Sequence, residues 1–379
     1  MTHFNPHSND WLKNKFEVYK ELRARDKAYW SETYQVYVIT RYADVKYALS
    51  EHDIFSSAKG NLIVEMPFRF GRTLGASDNP SHDVFKNIVK NAYSKDNINR
   101  IVDLFSKKAI ELLSNKQSFN ISTVIEELSA WVTAEILNLP YDKEQVKNII
   151  LGIQRHSPSC VSVNVDRTHL DMFNKLLNDL TLAKVEPTGP GIYKEFMTNH
   201  PDIQPVMSLF HGPTISGASS LTGALEFLTL DIVRENQLDM LLEDRDSIPN
   251  VIEESLRFHA STGRFSRTVI KDVTLHGIDL KLGDRVALCL ESANRDPEKF
   301  PDPDQFIINR STVGQLAFGH GLHACIALAI SKSIMTKYLE ILLDVVGKYR
   351  ITTSNSELEY VMTASGNDDM ISNICIEKI

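Results

Sequence analysis

The chain is poor in cysteine. Cys160, Cys289, Cys325 and Cys375 are spread through 379 residues, with no CxxC pair. That spacing excludes a disulfide framework and fits a reducing cytoplasm, where the protein is expected to reside. Long apolar runs are missing too. Met1 to Lys20 is polar, with Trp11 and Phe16 scattered through it, so neither a signal peptide nor a membrane anchor is expected there. Positive charge is not in excess: 41 Lys and Arg face 49 Asp and Glu, a net charge of -8. A nucleic-acid binder usually needs the opposite, a basic face, and none is expected here. Rossmann and P-loop glycine patterns are absent, as are internal repeats.

What remains is ordinary globular usage, with 42% hydrophobic and 24% charged residues. One large unit over residues 1–379 is expected, with a core big enough to enclose a cofactor. Periodicity predicts helices over residues 14–25 and 43–50, a strand over 35–40, and mostly helix from Ser81 to Val185. Residues 55–75, with Gly60, Pro67, Gly71 and Gly75, read as a long loop. Residues 206–233 read as a helix apolar nearly all round, hence internal, with Gly212-Pro213 expected to bend or break its first half. Short strands are expected over 269–290, and a helix followed by hairpin-like strands closes the chain. The fold class is mainly α with small β-sheets.

The segment Phe318-Gly319-His320-Gly321-Leu322-His323-Ala324-Cys325-Ile326-Ala327 carries the chemistry. It puts one cysteine between a glycine-punctuated loop and a long apolar-periodic helix. The positive end of the helix and free backbone N–H groups would stabilise a thiolate there. Such a thiolate can serve as axial ligand to haem iron. At every patterned position this segment resembles the haem-binding loop of the cytochrome P-450 family: Phe318, Gly319, Gly321, His323, Cys325 and Ala327. The resemblance implies the family's mainly α fold, with haem b (iron-protoporphyrin IX) between the long central helix and the Cys325 loop. It also implies monooxygenase activity.

Further positions match the same family. Glu254-Ser255-Leu256-Arg257 places a carboxylate and a guanidinium three apart on a helix. In the family such a pair lies behind the haem, joined by an arginine from a later loop, here Arg310. The run Ala293 to Pro303 resembles the segment before that loop. Haem propionates need cationic or donor groups. By family position these are His323, Arg267, His82 and Lys86, the last replacing the usual arginine and so giving a point charge instead of a fork.

The sharpest departure is in the central helix. Counted back from Glu254, the family's small residue, glycine, variable residue, acid and threonine fall on Ile215-Ser216-Gly217-Ala218-Ser219. In the family the last two side chains organise water and deliver protons on the oxygen side of the haem. Ala218 cannot relay a proton, whereas Ser219 keeps a hydroxyl. Ala218 and Ser219 are therefore the candidate catalytic positions, with Thr222 or Thr214 facing the iron if the register slips. Protons would then come through water held by Ser219 or from a substrate group. Otherwise the reaction needs fewer of them, as in radical coupling or peroxide-driven chemistry.

The resemblance also implies three substrate-contacting regions. They are the 60–75 loop with Met66, Phe68, Arg69 and Arg72, the 260–265 loop with Thr262, Arg264 and Phe265, and a turn from Thr363 to Asn367. The arginines there are candidates to grip an anionic or carbonyl-rich substrate. The expected substrates are O₂ and a small organic molecule of the secondary-metabolite kind. Electrons are expected from NAD(P)H through a reductase and a ferredoxin or flavodoxin, with Lys90, Lys332 and Lys337 as a candidate docking patch. An oxidase that couples, cyclises or desaturates is the alternative. A non-catalytic scaffold that recruits a partner is a third reading.

Overall fold

The computed structural model describes residues 4–6, 8–65, 71–156, 168–199, 207–362 and 369–379. Helices form most of it and small sheets border them. The strands, in chain order, are β1 (Tyr29–Ser31), β2 (Val36–Ile39), β3 (Phe55–Ser56), β4 (Ser118–Asn120), β5 (Arg264–Val269) and β6 (Val273–Leu275). They continue with β7 (Ile278–Leu280), β8 (Arg285–Cys289), β9 (Tyr349–Ile351), β10 (Tyr360–Met362), β11 (Asp369–Ile371) and β12 (Cys375–Lys378). The largest sheet has the order β1-β2-β8-β5-β3. Its β2–β8 pair is parallel, with Val38 opposite Ala287, and its other pairs are antiparallel. Smaller sheets have the orders β4-β12-β9, β10-β11 and β6-β7.

The main apolar core lies among the helices Lys95–Leu113, Ile121–Leu137, Ala218–Arg234 and Leu328–Ile341. The helix Ile121–Leu137 is buried over most of its surface. Asn120 caps its start by accepting from the Ser122 N–H at 2.9 Å, and Asn138 ends it in the left-handed conformation at φ 44°. A second core cluster joins the large sheet to the helix Tyr42–Ser50, and a third packs the first helix on the sheet through Trp11 and Tyr19.

The first helix runs Asn9–Arg23, starting earlier than periodicity predicts because the Ser8 hydroxyl accepts from the Trp11 N–H. Inside the predicted 55–75 loop, Phe55 and Ser56 pair with β5. Within the predicted helical stretch, Ser118–Asn120 is a strand. Its partner β12 lies near the end of the chain, so local pattern carries no trace of it.

Gly212-Pro213 neither breaks nor sharply interrupts the central helix. An α-turn Met207–His211 passes into a π-turn Gly212–Gly217 and then the α-helix Ala218–Arg234. A π-turn accommodates one extra residue, which absorbs the donor that Pro213 lacks. The Thr214 hydroxyl adds a bond to the Phe210 carbonyl at 2.8 Å. Among the described residues no helix is long and apolar enough to cross a membrane.

Candidate active site at the Cys325 loop

The ligand loop is built by two glycines. Gly319 and Gly321 sit at φ +69° and +72°, where a side chain would be strained. A Cβ on Gly321 would also fall 2.5 Å from the Leu49 carbonyl oxygen. The Gly319 N–H donates to Leu316 O at 2.9 Å, and the Cys325 N–H donates to Phe318 O at 2.9 Å, closing the loop. The following helix begins at Leu328, so Cys325 stands just outside its first turn. Cys325 is exposed, whereas Phe318 is half-buried and packs against the main core. The hydroxyl of the half-buried Tyr93 is pushed above its ordinary pKa by desolvation and by proximity to Cys325.

Behind the loop lies an ion network with a fully buried centre. Glu254 and Arg257 share two bonds, Nε to Oε2 at 2.7 Å and Nη2 to Oε1 at 2.8 Å, and neither is exposed to solvent. Arg310 Nε and the Ile307 N–H add bonds to Glu254 Oε1 at 3.0 and 2.7 Å. Arg257 also donates to the carbonyls of Asn294 and Pro303 at 2.9 Å and of Gln305 at 3.2 Å. Asn294 passes this order on: its Oδ1 accepts from the Leu316 N–H at 2.7 Å, in the segment that enters the ligand loop. Sequence reasoning placed Asn294 in a family-like run and missed this link.

His82, Lys86, Arg267 and His323 come together from three separate elements. The His82 and His323 rings lie 4.8 Å apart, edge to face. Both ring nitrogens of His323 are buried without a hydrogen-bond partner. Burial, then Arg267, His82, His52 and Lys86, pull its pKa down to about 3. Arg267 is 3% exposed and donates to the Ser266 carbonyl at 2.8 Å. Burial lowers its pKa to about 10, with Asp78 opposing. His82 is buried and 3.2 Å from the exposed Asp83, and Lys86 is exposed. Basic side chains gathered this closely, one of them with both ring nitrogens unpartnered, beside an exposed thiol, fit a ligand carrying carboxylates, as haem does.

The central helix is covered on several sides. Gln154 donates to Thr222 at 3.2 Å, the Ile371 N–H donates to Glu226 at 2.8 Å, and Thr229 bonds the Tyr338 hydroxyl at 2.7 Å. Asp231 accepts from Ser255 at 2.7 Å, and Phe227 stacks on His259. A Cβ on Gly223 would meet the Asp369 carbonyl oxygen at 2.2 Å. Ala218, Thr214 and Thr222 are fully buried. Ser219 is 3% exposed, and its hydroxyl donates to the Ile215 carbonyl at 2.8 Å. Ser216 is exposed and Ser220 half-buried.

The substrate-side arginine Arg264 does not face an open pocket. It is fully buried, bonded to Asp369 at 2.9 Å and 3.2 Å from Glu291, and Lys15 lies 2.5 Å from both of those carboxylates. This corrects the expectation that Arg264 grips substrate. Met66, Phe68, Arg69 and the 363–367 turn lie outside the described residues, as does Cys160. In the candidate docking patch Lys90 is exposed, but Lys332 pairs with Glu253 and Lys337 with Glu340.

Comparison with known proteins agrees with this geometry. The cytochrome P450 family profile matches residues 233–349. Pulcherriminic acid synthase of Bacillus subtilis is 24% identical over 378 residues, covering 92% of each chain. The structure of cytochrome P450 CYP109Q5 from Chondromyces apiculatus superposes with a TM-score of 0.83 at 21% identity, covering 100% of this chain and 98% of that one. P450BioI, solved with an acyl carrier protein bearing hexadec-9Z-enoic acid, superposes at 0.84 with 19% identity, covering 98% and 100%.

Proposed function

The chain belongs to the cytochrome P450 family, and from that premise we propose that it oxidises a small organic metabolite, with electrons drawn from NAD(P)H through a reductase and a ferredoxin or flavodoxin. It is a haem-thiolate monooxygenase with Cys325 as the axial thiolate. Haem bound there supplies activation of O₂ and transfer of one oxygen atom to substrate. Phe318 and Gly319 shape the loop that carries the thiolate. His323, Arg267, His82 and Lys86 would hold the propionates, and His323 would gain the partner it lacks. The observation that carries this reading is the pair of buried, unpartnered His323 nitrogens beside an exposed Cys325.

The experiment is a screen of the purified protein against a metabolite library for haem-spectrum shifts, with the reduced carbon monoxide spectrum as control. Products are then made under ¹⁸O₂. Label in the product supports oxygen insertion. Protein without haem absorbance refutes the proposal and favours a scaffold.

Ala218 favours a second reading. With no carboxyl at that position, the chain itself supplies one proton donor fewer on the oxygen side. Coupling, cyclisation or desaturation then becomes the reaction, and unlabelled product under ¹⁸O₂ is its signature.

A further inference from the structure

One row of the central helix stays open where the other sides are packed. Gly212, Ser216 and Ser220 are spaced four apart. Gly212 and Ser216 are exposed, and Ser220 is half-buried. A Cβ built on Gly212 meets nothing within 4 Å, and one built on Gly217 meets first only Gly212 O at 3.7 Å and Pro213 Cβ at 3.9 Å, both in its own turn. The haem of this fold lies between the central helix and the Cys325 loop. The open row is thus the face the helix can present to it.

Resting on the monooxygenase reading, we infer that Ser220, with Ser216 one turn before it, presents the hydroxyl on the oxygen side, in place of Ser219. Three observations converge. The Ser219 side chain is 3% exposed and its hydroxyl donates to the Ile215 carbonyl at 2.8 Å. The Ser220 hydroxyl reaches the Gly217 carbonyl only at 3.3 Å, a long bond that leaves its lone pairs available. Thr214 and Thr222, the other hydroxyls of this stretch, are fully buried. The same shift also aligns the chemistry. The small residue, glycine, variable residue, acid and threonine then fall on Ser216, Gly217, Ala218, Ser219 and Ser220. A real glycine occupies the glycine position, and Ser219 takes the place of the acid. The new register lies one residue nearer to Glu254, a difference the turns between Glu235 and Ser247 can absorb. The π-turn Gly212–Gly217 carries the first two positions of this row, and such turns are frequent at functional sites.

Ligand access tests the assignment without turnover. Imidazole binds ferric haem from the open side and shifts its absorbance. In haem-loaded protein, Ser216→Leu and Ser220→Leu are expected to weaken imidazole binding about tenfold or more. Ser220→Thr, which keeps a hydroxyl, is expected to bind imidazole more like wild type than Ser220→Leu does. In both leucine variants the haem content should match wild type. Imidazole affinity unmoved by both leucine variants, or moved more by Ser219→Leu than by Ser220→Leu, overturns the assignment alone. If Ser220→Leu fails to fold, Ser220→Val replaces it, with the same weakening expected. Wild-type protein that takes up no haem overturns the functional reading and this one with it.

Discussion

Replacing Arg257 with lysine keeps the charge and removes the fork. The guanidinium makes five bonds, two to Glu254 and one each to the carbonyls of Asn294, Pro303 and Gln305. An ammonium group has three donors, so at least two of those bonds are lost, and only Glu254 Oε1 and the Gln305 carbonyl keep Arg310 as a donor. Both groups of the pair are fully buried, and water cannot step in easily. Leaving a buried polar group unpaired costs about 1–3 kcal/mol, so two such losses suggest about 2–6 kcal/mol. The 3–5 kcal/mol typical of breaking a buried ion pair falls within that range. For a protein with total stability on the order of 5–15 kcal/mol this is a large fraction. The assay is urea unfolding of the haem-free and haem-loaded forms of Arg257→Lys, with haem per chain measured alongside. We expect a loss of about 3 kcal/mol or more and a reduced haem content, because Asn294 loses the donor that orders its backbone. A loss below about 1 kcal/mol with full haem content would show that the network does not hold the ligand loop.

Three further predictions follow the same logic. Asn294→Ala strands the Leu316 N–H and should cost about 1–3 kcal/mol; it should also speed haem transfer to an acceptor protein, and an unchanged transfer rate would contradict the link. Gly321→Ala forces a side chain into φ +72° against the Leu49 carbonyl, so a loss of about 2 kcal/mol or more in urea unfolding is expected, and a neutral result would mean the loop relaxes freely. Lys15→Met tests the second buried network through pH. Burial alone would raise the Asp369 carboxyl, but Lys15 and Arg264 hold it below its ordinary value. A depressed folded-state pKa adds stability above the unfolded value of about 3.9 and loses it as pH falls through the folded one. The variant should therefore be weaker at pH 7, by about 3 kcal/mol, and the gap should narrow below about pH 4. A gap constant from pH 7 to pH 3 would count against the pairing.

The ligand loop was legible in the sequence because its signals are local: two glycines, a cysteine and a helix within ten residues. Helices with an apolar stripe were legible for the same reason. Features joined across the chain were not. β4 is defined by β12, and Lys15 by Asp369, 354 positions away. Asn294 looks like any polar residue until Leu316 is seen folded against it. The central helix shows a third kind of limit. Its composition was clear, but which of Ser216, Ser219 and Ser220 faces inward depends on a π-turn that no spacing rule reveals.

The Lys15 network has a consequence for how the chain comes together. During synthesis Lys15 emerges well before Arg264 and Glu291, and Asp369 follows them. Until Asp369 arrives, two cations share one carboxylate, and closing the core around them carries an unbalanced charge. The charge balance around the first helix is therefore complete only once β11 is in place. Trimming the chain from either end, for a tag or a fusion, acts on the same lock.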